Sequence, residues 1–315
     1  MRYNGDSVRI LFLDGLMKHQ YLFAFFLCLF PALSFINEAR GDRDYVFSDF
    51  LRISKPEGQR PPASYDTAIV KFVDEKNNTE VHLIGVIHIG DEEYYTELNE
   101  IFKRYDAVLY ELVAEEDTRP NAETGRNESQ SILSAFQSGI GSALALDFQL
   151  DHIDYHAENM IHADLNPTEF ARRATERNDI MQMFYRLLLT GIKKSGPDSQ
   201  REEMRMQGRL LGAFLASDPK LSLKRLLAEE MAKQLDESGW IIGGEGSAII
   251  TDRNDAALQV LLRERDNGKK KIAIFYGAAH LPEFAKSLER DFQMKKTGID
   301  WIIAWDLTRN RSARQ

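Results

Sequence analysis

Two histidines, His88 and His280, end the same four-residue pattern, with a glycine three positions earlier, and each pattern closes an apolar run. Gly85-Val86-Ile87-His88 follows Val81, Leu83 and Ile84, and Gly277-Ala278-Ala279-His280 follows residues 271–276. An imidazole is largely neutral at pH 7, so each can offer a nitrogen to a divalent metal or pass on a proton. A third apolar run, 107–110, ends in Glu111. Two histidines and one carboxylate, with positions left open for water and substrate, form a catalytic metal set. Arg253 adds a permanent positive charge able to hold Glu111 or to stabilise a developing oxyanion. Gly85 and Gly277 are the candidate positions at which backbone approaches a bound group. Each residue also has a bland reading: a histidine bonded into a loop, a solvated acid at a strand end, a surface arginine on a helix start. A glycine and a histidine three apart are common by chance, so the repetition at strand ends is the informative part.

The surrounding pattern predicts the elements that must position these groups. Residues 81–111 read as strand, tight loop, helix, strand. Asp91 stands at the helix N-cap, Glu92 and Glu93 fill its first turn, and Tyr94, Leu98, Ile101 and Tyr105 recur on one face. In open α/β sheets ligands bind beyond the carboxyl ends of the strands, which puts His88 and Glu111 on one rim. Pro282 sits where the first turn of a helix after His280 tolerates it.

Elsewhere, alternation at Ala68, Val70 and Phe72, then Val81 and Leu83, predicts a hairpin leading into the first motif. Residues 40–66 read as a linker with one short amphipathic helix around 47–53, and the domain proper begins near Thr67. A long acidic surface loop over 114–130, a helical piece over 132–146 and a short strand around 159–163 come next. Residues 167–235 are almost wholly helical in pattern, and Gly243 to Gly246 form a turn without the lysine and hydroxyl residue of a phosphate loop. An amphipathic helix or strand-to-helix unit over 248–265 carries Arg253 and Asn254 near its start, and a buried strand over 300–307 ends the domain. The expected fold class is α/β (α+β), a central mixed sheet flanked by helices with an inserted helical subdomain at about 165–240. His82 alternates with the inward positions and is expected to be exposed. His152, Asp154, His156, His162 and Asp164 lie close in sequence without an H-E-x-x-H motif; His162 and Asp164 are the reserve site residues.

With 315 residues, one large or two ordinary domains are expected. The net charge of −9 and the lack of a basic stripe with interleaved aromatics argue against nucleic acid as a partner. Residues 21–36 carry no charge and follow Lys18 and His19, so residues 1–39 read as an export signal or an N-terminal anchor. Met17 offers a start that gives a leader of ordinary length. The expected location is outside the cytoplasm, periplasmic or extracellular, with a membrane tether through 21–36 if that segment stays uncleaved. Cys28 is the one cysteine and lies inside that run. The rest of the chain has no thiol for a disulfide or a thiolate-bound metal, and His, Asp and Glu remain as ligands.

Together, Gly85 to His88, the Tyr110-Glu111-Leu112 strand end, Asp252-Arg253-Asn254 and Gly277 to Pro282 resemble the TraB/PrgY/TIKI family, which is marked by two G-x-x-H motifs with a glutamate and an arginine between them. The resemblance covers 67–307 in arrangement and is sharp over those four pieces. It implies a fold like that of erythromycin-esterase and ChaN-like proteins and, in the TIKI branch, a divalent-metal-dependent protease acting outside the cell. Carried over, His88, Glu111 and His280 form the metal or proton-transfer centre and Arg253 supports it. The expectation is an exported, peptidase-like hydrolase using Mn, Co or Zn on a peptide or protein substrate. The alternatives are a metal-free esterase-like hydrolase, or a protein that sequesters a peptide or haem without turnover.

Overall fold

The computed structural model describes residues 45–46, 49–54, 63–115, 118–120, 146–177, 197–238 and 247–308. The expectations for 21–36, for most of 121–146 and for Gly243 to Gly246 lie outside them. The fold is α/β, as its alternating pattern predicts: a mixed, eight-stranded sheet with helices packed on it. Strand β1 (Tyr45–Val46) pairs with β2 (Leu51–Ser54), and β2 pairs with β3 (Ser64–Asp74). The hairpin partner of β3 is β4 (Thr79–Val86). The short β5 (Ile89–Gly90) and helix α1 (Glu92–Phe102) lead to β6 (Ala107–Tyr110).

Next come β7 (Asp147–Phe148), the one-turn α2 (Gln149–His152) and β8 (Met160–His162). Three helices follow: α3 (Pro167–Glu176), α4 (Pro197–Phe214) and α5 (Pro219–Ser238). A π-helical turn, Ala248–Asp252, runs directly into α6 (Arg253–Asp266). The chain closes with β9 (Lys271–Gly277), a 3-10 turn at Ala278–His280, α7 (Leu281–Arg290) and β10 (Lys295–Asp306).

Four strands form the parallel part of the sheet in the order β4, β9, β6, β8. The α1 crossover from β4 to β6 thus skips the position that β9 fills. All four carboxyl ends reach one rim. Alternate residues of these strands feed two cores: Val108, Tyr110 and Phe275 pack with Tyr94, Leu98 and Phe102 of α1, while Leu109, Ile274 and Tyr276 pack with Leu258, Leu261, Phe284 and Leu288 of α6 and α7. Burial on both faces explains the near-continuous apolar runs.

Several expectations need correction. Residues 51–54 are a strand, not part of a helix, and residues 45–66 supply β1, β2 and the start of β3, so the sheet begins well inside the expected linker. The reason is pairing: β10 takes one edge of β3 while β2 and β4 divide the other edge between residues 64–67 and 69–74. His82 is buried, with Nδ1 2.8 Å from the Tyr105 hydroxyl, because its face of β4 is covered as well. Asp91 occupies the N-cap position of α1, yet its carboxylate makes no cap bond. It binds Lys224 Nζ of α5 at 2.6 and 2.9 Å and accepts from Asp306 N at 2.6 Å.

The helical segment is tied to the rest of the fold from α3 and from α5. Besides Lys224, Arg225 Nε of α5 donates to Leu307 O at 2.7 Å. Arg177, which caps α3, holds the buried Asp252 through Nε at 2.8 Å and Nη2 at 2.7 Å. That pair fixes the turn immediately before Arg253.

Candidate functional site

Each carboxyl end of the parallel strands delivers one polar group to the rim. His88 follows β4, Glu111 follows β6, Asp164 follows β8, and His280 follows β9 through the 3-10 turn. Arg253 arrives from the other direction, at the first turn of α6. The π-helical turn before it is a feature found often at functional sites.

Arg253 binds two acids at once. Its Nη2 lies 2.7 Å from Glu111 Oε1 and 2.6 Å from Asp164 Oδ2, and Nε donates to Asp164 Oδ1 at 2.9 Å. The fork geometry is what a guanidinium offers and an ammonium does not. All three groups are out of water: side-chain exposure is 11% for Arg253, 12% for Glu111 and nil for Asp164. Glu111 Oε2 also accepts from Gly277 N at 2.6 Å. Burial opposes ionisation of Glu111, but Arg253, followed by the two histidines and the Gly277 N–H, overcomes it and holds the carboxyl well below the usual carboxylate range. Burial likewise works against the Arg253 charge, and Glu111 and Asp164 more than restore it.

His280 is buried, with Nε2 3.6 Å from Glu111 Oε1. Burial pushes its imidazole down to about 4, against the pull of the Glu111 charge, so it is neutral at pH 7. Its Nδ1 is 2.7 Å from Asn254 Oδ1, while Asn254 Nδ2 donates to His280 O at 3.2 Å. His88 is exposed at the rim, with Nδ1 2.8 Å from Gln149 Oε1. Gln149 Nε2 donates to the fully buried Tyr155 hydroxyl at 2.7 Å, and Gln149 N donates to His88 O at 3.0 Å.

The structure thus brings His88, Glu111, Arg253 and His280 together and adds the reserve residue Asp164. His162, the other reserve, is engaged elsewhere: Nε2 donates to Leu112 O at 2.6 Å and steadies the segment after Glu111. Gly277 belongs to the site, since a Cβ there would stand 3.1 Å from Glu111 Oε2 and 3.8 Å from His88 Nε2. Gly85, the other glycine, lies against α7. A Cβ there would meet Leu281 Cδ1 at 2.8 Å, so this glycine serves the packing of β4 under α7.

Gln149, Tyr155 and Asn254 were not among the expected site residues. Asn254 had a signal, as the neighbour of Arg253 in a helix's first turn. Gln149 had none, because its partner His88 is 61 positions away.

The donor chemistry suits a divalent ion: two imidazoles, and a carboxylate keeping a second lone pair on each oxygen after accepting from Arg253 and Gly277. Among the described residues no three His, Cys, Asp or Glu side chains stand already gathered around one point. Comparison of the chain with protein-family models, with curated proteins and with solved structures finds no match.

Proposed function

We propose that the chain is a hydrolase of a peptide or protein substrate, as its resemblance to the TraB/PrgY/TIKI family implies, with water activated at the rim between His88, His280 and Glu111. The observation that carries this reading is the state of Glu111: a carboxylate kept ionised by Arg253 and Gly277 N–H with the neutral His280 Nε2 at 3.6 Å. Titratable groups with perturbed ionisation, gathered at the carboxyl ends of adjacent parallel strands, mark a candidate active site.

His88, His280 and Glu111 would hold Mn, Co or Zn, with Arg253 and Asp164 behind them. When bound, such an ion supplies a water of pKa near ~7 and polarises the scissile carbonyl. Arg253 keeps Glu111 from taking up a proton and fixes its orientation. A carboxylate held ionised by Arg253 and the Gly277 N–H is a poor proton acceptor, so in this reading Glu111 is ligand and charge partner.

A second reading is favoured by the His88 contact with Gln149. An exposed imidazole oriented through Nδ1 is the arrangement of a general base, and a metal-free esterase-like hydrolase would use it directly on water. Residues 21–36 serve export or tethering under either reading. Among the described residues no helix is long and apolar enough to cross a membrane. Hydrolysis of a peptide library with added Mn, Co or Zn tests the proposal: turnover abolished by chelator supports it, and chelator-resistant turnover selects the second reading. Saturable binding of peptide or haem with no turnover under any condition would overturn both.

A further inference from the structure

We propose that Asn254 and Gln149 are paired positioning residues that lock His280 and His88 in the same tautomer, with hydrogen on Nδ1 and the lone pair of each Nε2 committed to the rim. The inference rests on the proposed function for its purpose, though not for its geometry.

The chemistry of the Asn254 amide decides the first case. Its Nδ2 faces His280 O at 3.2 Å, and a carbonyl can only accept, so the amide nitrogen must stand on that side. Oδ1 is thereby turned to His280 Nδ1 at 2.7 Å. An amide oxygen cannot donate, so Nδ1 carries the hydrogen and a neutral ring has its lone pair on Nε2. One side chain reads both the main chain and the ring of one histidine. Asn254 is almost fully buried, so water offers no substitute for either bond.

Gln149 meets the other motif through different elements. The Tyr155 hydroxyl can donate or accept, so here the facing of the amide rests on the Oε1 contact with His88 Nδ1 itself, and the measured ring tautomer decides it. Its main-chain N donates to His88 O at 3.0 Å, its Oε1 is 2.8 Å from His88 Nδ1, and its Nε2 donates to Tyr155 OH at 2.7 Å. The β5–β7 pairing of Ile89 with Phe148 and Gly90 with Asp147 holds the two segments in register around these bonds. Tyr155 is itself fully buried and packs edge-on against Tyr110, the neighbour of Glu111. Gln149 is therefore anchored at both ends of its amide.

The result is a rim with two Nε2 acceptors and an ionised carboxylate. Such a set receives a Lewis acid or a proton and repels an anion. Were either ring to switch tautomer, an N–H would point into the rim and the acceptor would be lost. Neither amide touches the reacting position, so both are positioning residues.

Nitrogen-15 NMR of the histidine rings in the full chain, without added metal, tests this at neutral pH. The expected result is an unprotonated Nε2 on both His88 and His280. In Gln149→Met the His88 ring should lose that single tautomer while His280 keeps it, and Asn254→Leu should do the reverse. Gln149→Glu, which can accept from both Nδ1–H and Tyr155 O–H, should restore it. In turnover, Gln149→Met should lower kcat by about 10- to 100-fold with KM little changed, and Gln149→Glu should recover most of the loss. A protonated Nε2 on either ring of the native chain, or an unchanged His88 tautomer in folded Gln149→Met, would overturn the inference. Should both rings show the predicted tautomer in a chain that hydrolyses nothing, the locks stand and the hydrolase reading falls.

Discussion

Arg253 and Glu111 are 142 positions apart in sequence, yet Nη2 of one lies 2.7 Å from Oε1 of the other in a place almost closed to water. Removing one member of such a pair leaves the others charged and unsolvated. Arg253→Met should therefore destabilise the fold by about 3–5 kcal/mol, since both Glu111 and Asp164 lose their partner. The two chains should also differ in pH dependence. In the native chain the depressed Glu111 carboxyl contributes stability that is present above the ordinary glutamate value of ~4.3 and is lost as pH falls through its lower folded value. In Arg253→Met the buried Glu111 has lost its positive partner and prefers to be protonated, so the stability gap between the variant and the native chain should narrow as pH is lowered from 7 toward 5. Urea midpoints measured at several pH values report both effects. A variant with the native pH slope would show that Arg253 does not control Glu111.

His280 and His82 are both buried and both pushed down to about 4. Their folded values lie below the unfolded value of ~6.5, so the unfolded chain binds more protons in between. The stability they contribute is complete above ~6.5 and is lost as pH falls from there through about 4. Histidine ring proton shifts should show two residues titrating near the lower figure. Midpoints near the ordinary value for both rings would mean that neither is shielded as described.

Much of this was legible in the sequence. The strands ending at His88, Glu111 and His280 follow from β-branched runs stopped by glycine or acid, and the α1 face follows from a 3.6-residue period. Residues 51–54 misled because a half-buried strand and a short amphipathic helix share an apolar pattern over a few residues. His82 misled for another reason: alternation marks an outer face only if that face meets water, and here a second layer covers it. Gln149 carries no local signal at all, and Asp164 stands only in reserve, within a cluster of His and Asp that matches no motif. Their roles come from strand order, which places β8 beside β6 and α2 beside the first motif.

The two motif glycines should separate in their effects. Gly277→Ala puts a methyl 3.1 Å from Glu111 Oε2 and should displace the carboxylate from its N–H donor, lowering turnover while the fold survives. Gly85→Ala drives a methyl to 2.8 Å from Leu281 Cδ1 and should cost about 1–3 kcal/mol of stability through overpacking. Equal thermal shifts and equal activities for the two variants would deny them different roles.

The buried pair of Lys224 and Asp91 joins the helical segment to the strand that follows His88, with side-chain exposures of 7% and 10%. Burial already raises the Asp91 carboxyl against the pull of Lys224. Lys224→Met should therefore destabilise the chain by about 3 kcal/mol, and adding Asp91→Asn should recover part of that loss. Chemical denaturation of both variants is the check; additive losses would show that the two side chains are not coupled.

The central claim is that His88, His280 and Glu111 work as one centre for activating water. The most direct measurement is turnover of a peptide library, with metal binding followed by calorimetry, for the native chain and for His88→Ala, His280→Ala and Glu111→Gln under saturating Mn, Co or Zn. Each substitution should lower turnover by at least about 100-fold, and under the proposed ligand role Glu111→Gln should also weaken metal binding. Full hydrolysis by either histidine variant under saturating metal would contradict the account.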